Sequence, residues 1–340
     1  TAANLANASE VVYNNTLLLV ATTSATAFEA TQIHAMITAS NATTAAGSDF
    51  VAADVTLNVS DTASNVANSL TDSAIASDAV ATSDTSSAAE ALASYTNNNA
   101  AVFSITDTAA NLATEAAASR ATLNTATSIT YSDAATVAQV AALNAASTVG
   151  AAAGYARNDT QANLIGNATV TGSAGNITVS DAGITVAQGL AIEALGNTGT
   201  NAYVIADTVG TALAASAAVT SSTTAISTSD ATITVAQANA LVSKYGASKV
   251  TDTSFDIADT AANLVTLSAA SIAEADAGLG DEIAMTGTAT VSQALNINAA
   301  VSAATLDLTT MAVSDTAANI LAGTADAQLA SPKYILMDLA

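Results

Sequence analysis

The chain contains one histidine, His34, and no cysteine. A Ser-His-Asp device would have to be built around that single imidazole. Disulfides and thiolate metal sites have no residues to form them. His34 lies in Gln32–Met36, inside a stretch that reads as an ordinary helix, and its expected role is that of a plain helix residue. One imidazole is also too few for a His-based metal centre. What remains is carboxylate chemistry. Asp72, Asp78 and Asp84 form one acidic cluster, and Glu274, Asp276, Asp281 and Glu282 form another. Calcium takes about six to eight oxygen ligands, so these clusters are the calcium candidates, and calcium is the only cofactor the sequence offers. A solvated loop is the plainer reading of both. No phosphate loop, zinc motif, dinucleotide fingerprint or Gly-x-Ser-x-Gly occurs. The residues predict no enzyme.

Most other carboxylates fall at intervals. Asp-Thr-Ala-Ala-Asn-Leu stands at Asp107–Leu112 and at Asp259–Leu264, with close copies at Asp61–Val66, Asp159–Leu164 and Asp315–Ile320. A second phrase, Thr-Val-Ala-Gln, falls between them at Thr136–Gln139, Thr185–Gln188 and Thr234–Gln237, with a looser copy at Thr290–Gln293. The Asp ahead of each phrase makes a ruler: Asp61, Asp84, Asp107, Asp133, Asp159, Asp181, Asp207, Asp230, Asp259, Asp315 and Asp338, with Gly287 filling one gap. Its steps run from 22 residues (Asp159 to Asp181) to 29 (Asp230 to Asp259). Two steps make one full repeat of about 50 residues, a period that marks repeat architectures.

Apolar residues sit two and four positions before most ruler marks, as in Leu57 and Val59, Phe103 and Ile105, Ile129 and Tyr131, Ile177 and Val179, and Tyr203 and Ile205. The positions between them carry Ser, Thr, Ala or Asn. Period two over four or five residues predicts a strand with one buried face. Ala-rich sequence at helical spacing follows the Asp, as in Asp133–Ala146 and Asp230–Gly246, the latter with Gly246 as C-cap. Asp61, Asp107, Asp133, Asp159, Asp181, Asp207, Asp230, Asp259 and Asp315 are read as N-caps of the helices that follow them. Asn65, Asn111, Asn163, Asn263 and Asn319 are read as a buried ladder bonded to neighbouring loops.

One unit is strand, cap, short helix and loop, repeating every ~24 residues, a link that favours parallel strands. The expected fold is α/β: a solenoid of about a dozen units with a one-sided parallel sheet, about 60 Å long at ~4.8 Å per strand. The alternative is a parallel β-helix-like solenoid. Residues 1–340 are read as a single elongated array, less regular over 1–60, where Thr16–Thr22 reads as a strand, Ala25–Thr38 as a helix and Asn41–Asp54 as a loop. Ser268–Glu282 reads as an insertion. Both ends stop inside a phrase, which points to a window onto a longer protein or to end-to-end docking.

Five basic residues, Arg120, Arg157, Lys244, Lys249 and Lys333, oppose 28 acidic ones, for a net charge of −23. That balance argues against nucleic acid and anionic membranes as partners. No run of 18 apolar residues exists to enter a bilayer. Aromatics are 3 % of the chain, too few for the walls of a deep ligand pocket. Outward strand positions such as Asn58 and Ser60, Ser104 and Thr106, Thr130 and Ser132, Thr178 and Ser180, and Ser227 and Ser229 would stack into a hydroxyl-rich face.

The two phrases resemble the tandem repeats of very large secreted bacterial surface proteins, adhesin-like or S-layer-like, over nearly the whole chain from Thr1 to Asp338. The resemblance implies an extracellular location at the cell surface and a structural role in a surface layer, filament or adhesin stalk, with self-association as the partner interaction. The alternative is a binding module that recognises a surface glycan or ice through the Ser/Thr face. The Gly-Gly-x-Gly-x-Asp calcium repeats that often accompany such proteins are absent.

Overall fold

The computed structural model describes residues 3–4, 24–43, 57–69, 78–98, 100–118, 121–250, 256–271, 283–301, 312–324 and 335–338. The protein is a mixed α/β structure with several small, wholly parallel sheets. Its contacts divide it into two compact units. The first is Thr1–Asn158 with Thr169–Asn176 and Asn197–Gly199; the second is Asp159–Ala168, Ile177–Gly196 and Thr200–Ala340.

The first unit runs α1 (Ala27–Thr43), β1 (Asn58–Asp61), α2 (Ala63–Ser69), β2 (Ala79–Thr82), α3 (Ala88–Asn97), β3 (Ile105–Asp107), α4 (Ala109–Ala117), β4 (Ile129–Tyr131), α5 (Val137–Ala146) and the start of β5 (Arg157–Asp159). The second begins with the end of β5. It continues through α6 (Gln161–Gly166), β6 (Ile177–Val179), α7 (Val186–Glu193), β7 (Asn201–Asp207), α8 (Val209–Ala214), β8 (Thr223–Thr228), β9 (Thr232–Ile233), α9 (Val235–Tyr245) and β10 (Asp256–Thr260). Then come α10 (Ala261–Leu264), β11 (Ile283–Thr286), β12 (Thr288–Ala289), α11 (Val291–Val301), β13 (Ala312–Asp315), α12 (Ala317–Thr324) and β14 (Ile335–Asp338). The even-numbered helices belong to the Asp-Thr phrase, and the odd-numbered ones to repeats of the Thr-Val-Ala-Gln kind.

The alternation read from sequence is the burial seen. Leu57, Val59, Phe103, Ile105, Ile129, Tyr131, Ile177, Val179, Tyr203 and Ile205 are all buried, while Asn58, Ser60, Thr130, Ser132, Thr178 and Ser180 are exposed. Successive strands place like on like: Val59 beside Val80, Ile105 beside Ile129, Ile257 beside Ile283 and Val313 beside Leu336. Each helix lays small and branched side chains onto this face. Ala109, Leu112 and Ala116 are the buried residues of α4, and Val137, Val140 and Leu143 those of α5. Buried Ala, as at Ala91, Ala109 and Ala135, lets helix and sheet backbones approach closely.

The sheets are small because alternate strands bend. After Asp84, Asp133 and Asp181 the chain turns and then pairs again, through Ser86 with Ile105, Ala135 with Arg157, and Ile184 with Ile205. β8 and β9 flank Asp230 in the same way, and β11 and β12 flank Gly287, whose φ of +85° only glycine adopts without strain. At β8 and at β11 the first limb of the bent strand closes one sheet and the second limb opens the next, whereas β6 bends within a sheet that continues through β7 and β8. Ile233, expected within a helix, is therefore in β9, and the helices of Asp133–Ala146 and Asp230–Gly246 begin only at Val137 and Val235. Gly246 closes α9, its N–H donating to the Val242 carbonyl. The helix expected over Ala25–Thr38 runs from Ala27 to Thr43, so Asn41 is helical rather than in a loop. The strand expected at Thr16–Thr22 lies outside the described residues, as does most of the insertion at Ser268–Glu282. Among the described residues, no helix is long and apolar enough to cross a membrane.

Where the bent strand passes β7, Gly183 leaves no room for a side chain: a Cβ there would lie 2.7 Å from the Ala206 Cβ. Gly183→Ala is expected to cost about 1–3 kcal/mol through forced separation of the two strands. Gly210→Ala in α8, where nothing stands within 4 Å of the new Cβ, is expected to gain about 0.5–1 kcal/mol from helix propensity. Urea midpoints at unchanged m-value check both.

Candidate functional site: the carboxylate joints between repeats

Each helix starts immediately after a strand, so its first backbone N–H groups have no intrahelical acceptor. The side chain at the N-cap is not the ruler Asp. It is Thr108 for α4, Thr160 for α6, Thr208 for α8 and Thr260 for α10, each accepting from the N–H three residues on. In the odd helices the cap is Ser87, Thr136, Thr185 or Thr234, closed into a capping box by Glu90, Gln139, Gln188 or Gln237. Thr26 with Glu29 and Thr290 with Gln293 make the same reciprocal bonds.

The ruler carboxylates cap helices too, but the helix of the preceding repeat. This corrects the assignment made from sequence. The N–H of the first helical residue donates across to the next Asp: Ala27 to Asp61, Ala63 to Asp84, Ala88 to Asp107, Ala109 to Asp133, Gln161 to Asp181, Val186 to Asp207, Val209 to Asp230, Val235 to Asp259 and Val291 to Asp315, at 2.5–3.1 Å. The reason is geometric. Parallel neighbours lie ~4.8 Å apart, so the Asp ending the next strand stands beside the start of the preceding helix. The negative charge also meets the positive end of that helix dipole.

Asp residues of the Asp-Thr phrase carry a second set of bonds. Their Oδ1 accepts the N–H of the following Thr at Asp61, Asp107, Asp159, Asp207, Asp259 and Asp315. The Nδ2 groups of Asn65, Asn111, Asn163, Asn263 and Asn319 donate to the same oxygens at 2.7–2.9 Å. These Asn side chains are exposed and bond within their own repeat, so they form no buried ladder. The roles read from sequence are exchanged: Asp reaches the neighbour, and Asn steadies Asp. In the Asp207 repeat Thr211 replaces Asn and bonds the Thr208 hydroxyl instead.

This network sets the acidity of the carboxylates. Burial pushes Asp107 up, but the Ala88 N–H, the Asn111 amide and the Thr108 N–H together hold it below the ordinary carboxylate value. Burial likewise pushes Asp259 up, against the stronger combined pull of Asn263, Thr260 and Val235. Asp315 is lowered by Asn319 first, then by Thr316 and Val291.

The calcium candidates are otherwise engaged or lie elsewhere. Asp78 is buried, accepting from the Leu57 N–H and pairing with His34 Nε2, both at 2.9 Å, while the Asn98 amide donates to its carbonyl. Asp84 is the acceptor for Ala63. Asp72, Glu274, Asp276, Asp281 and Glu282 lie outside the described residues. Among the described residues, no three His, Cys, Asp or Glu side chains converge as a metal site would require. His34 is a helix residue as expected, but not a plain one. It is fully buried and ties α1 to the residue that leads into β2.

Two cationic side chains, one buried and one half-buried, escaped the sequence reading. Arg157 occupies the position, two before the Asp, that holds Val59, Ile105, Ile205, Ile257 and Val313 elsewhere. It is fully buried, lies over the Tyr155 ring at 4.6 Å, and donates to the Tyr155 hydroxyl and to the carbonyls of Val170 and Thr136. Tyr131 meets Tyr155 edge-on, with ring centroids 5.3 Å apart. Burial raises the Tyr131 phenol, and burial together with the Glu193 carboxylate raises Tyr203. In the second unit Lys244 donates to the carbonyls of Leu213 and Ala215, closing the end of α8. The break in the ruler pattern at Arg157 was the available signal for it; Lys244 had none.

No family model, no characterised protein and no solved structure matches the chain.

The lowered carboxylates fix the sign of the acid response. A group whose folded value lies below its unfolded one, about 4, contributes stability that is complete above the unfolded value and lost as pH falls through the folded one. The urea midpoint is expected to be flat between about pH 7 and 5 and to drop below about pH 4. Removing a cap with Thr136→Ala is expected to cost about 1 kcal/mol at neutral pH, read from the same midpoint.

Proposed function

We propose that the chain is a structural repeat protein of the bacterial cell exterior, a load-bearing part of a surface layer, an extracellular filament or an adhesin stalk. In this reading the strand–helix repeats stack as an α/β solenoid, and no residue has a catalytic role. The observation that supports it is the same carboxylate-to-helix joint recurring nine times among the described residues. Such a device makes each repeat complete only when the next one is present, which suits a mechanical element built by repetition. The resemblance of the two phrases to secreted surface repeats supports the location. A charge of −23 suits an exposed, hydrated material.

A second reading rests on the exposed strand face, where Asn58, Ser60, Thr130, Ser132, Thr178 and Ser180 all face outward. A flat hydroxyl- and amide-bearing surface of this kind would recognise a surface glycan or ice.

Electron microscopy of the purified protein, with and without a calcium chelator, separates these. The first reading expects filaments or a lattice, and their loss on chelation would make calcium part of the assembly. Dispersed monomers in both conditions would contradict it. Glycan-array binding or thermal hysteresis by those monomers would then support the second.

A further inference from the structure

The joints between repeats are not alike, and those at Asp107, Asp259 and Asp315 are thin in both layers. From an even-numbered repeat to the odd one after it, the strands pair over three to five residues: β1 with β2, β3 with β4, β7 with β8 and β10 with β11. From an odd-numbered repeat to the next even one, the second limb of the bent strand pairs over one or two. Ser86 with Ile105 and Ile184 with Ile205 are single bridges, added to the short first-limb pairings of Ala81 with Val102 and of Ile177 and Thr178 with Asn201 and Ala202, and β9 with β10 and β12 with β13 are two residues long. The helices repeat the contrast. α2 packs along α3, α4 along α5, α8 along α9 and α10 along α11, each more extensively than α3 on α4, α9 on α10 or α11 on α12.

Across three of the thin joints lies a carboxylate with the fullest set of donors. Asp107 ties α3 to the α4 repeat, Asp259 ties α9 to the α10 repeat, and Asp315 ties α11 to the α12 repeat. Each holds the first N–H of the odd helix, its own Thr N–H and its own Asn amide. The thick joints carry an Asp as well, but there helix packing and a longer ladder share the load.

We propose that the joints at Asp107, Asp259 and Asp315 are acid-release seams, so that proton uptake parts the chain between α3, α9 or α11 and the repeat that follows it. What survives is a two-helix module of about 50 residues, such as β3–α4–β4–α5 or β10–α10–β11–β12–α11. A carboxylic acid has one oxygen able to accept well and one that donates, so it cannot satisfy three N–H donors at once. The charge that complements the odd helix dipole goes with the proton. The titratable groups near these joints along the chain are, Lys244 apart, acidic. Glu90 stands in the first turn of α3, Asp84 and Asp133 are the ruler residues on either side of Asp107, and Asp230 and Asp256 accompany Asp259. Lys244, in the last turn of α9, is held by the Leu213 and Ala215 carbonyls. Neutralisation of the neighbouring acids therefore adds no attraction that would keep a seam closed.

The proposal rests on the stacked-repeat reading, and hydrogen exchange of the full chain, followed by mass spectrometry, tests the two separately. At pH 7, protection of every described strand tests the stacking. At pH 3, after correction for intrinsic rates, the first turns of α3, α9 and α11 should lose protection at least tenfold, while β4 and the first turn of α4, held by Asp133 across a thick joint, retain theirs. Asp107→Asn should reproduce the loss at α3 alone at pH 7, and Asp133→Asn should leave β3 and β4 protected. Equal loss at both kinds of joint in acid would overturn the proposal, as would unchanged protection at pH 3 or an Asp133→Asn effect on β3 and β4 as large as that of Asp107→Asn at α3.

Discussion

A helix that begins directly at the end of a strand has four unsatisfied N–H groups in its first turn, and in this protein the first of them is answered from outside the repeat. The acceptor is the carboxylate at the end of the neighbouring strand, as in Ala88 with Asp107 or Val235 with Asp259. The rest of the architecture follows from that bond. A parallel neighbour must be present, its strand must end level with the helix start, and the residue there must be a short acceptor. Asp meets the last condition, and parallel pairing of buried Ile and Val, as in Ile257 beside Ile283, meets the other two. Charge-assisted bonds of this kind contribute about 1–2 kcal/mol each, modest singly and substantial when repeated in series.

The two alternating phrases are two solutions to the same local problem. In one the helix starts at once after the Asp, with Thr as cap and Asn folding back to steady the carboxylate. In the other the strand bends at the Asp, pairs once more, and only then begins a helix closed by a Thr–Gln or Ser–Glu box. The bend makes the sheets small and the joints unequal. It also explains why Gly287 stands at a ruler position, since the backbone there is left-handed.

Strand positions were legible because burial on one face imposes a period of two, and the residues two and four before most of the Asp marks kept to it. The capping function of Asp was legible, but its address was not. Local sequence shows Asp107 next to Thr108 and Asn111, whereas its most distant partner, Ala88, lies 19 residues back and is brought near only by stacking. Helix starts were placed too early in the bent repeats because Ile233 fits an apolar helical stripe as well as a short strand. His34 and Asp78, 44 residues apart, gave no local sign of their pairing. Arg157 did give one, by standing where the other Asp-Thr repeats hold Val or Ile.

The central claim is most directly tested by amide-resolved NMR hydrogen exchange at neutral pH for Ala88, Ala109, Val186, Val209 and Val235, the first residues of their helices. First-turn amides normally exchange fast for want of an acceptor. If the next repeat's carboxylate holds them, they should exchange as slowly as amides in the middle of the same helices. Exchange at the rate of ordinary, uncapped first-turn amides would contradict the account.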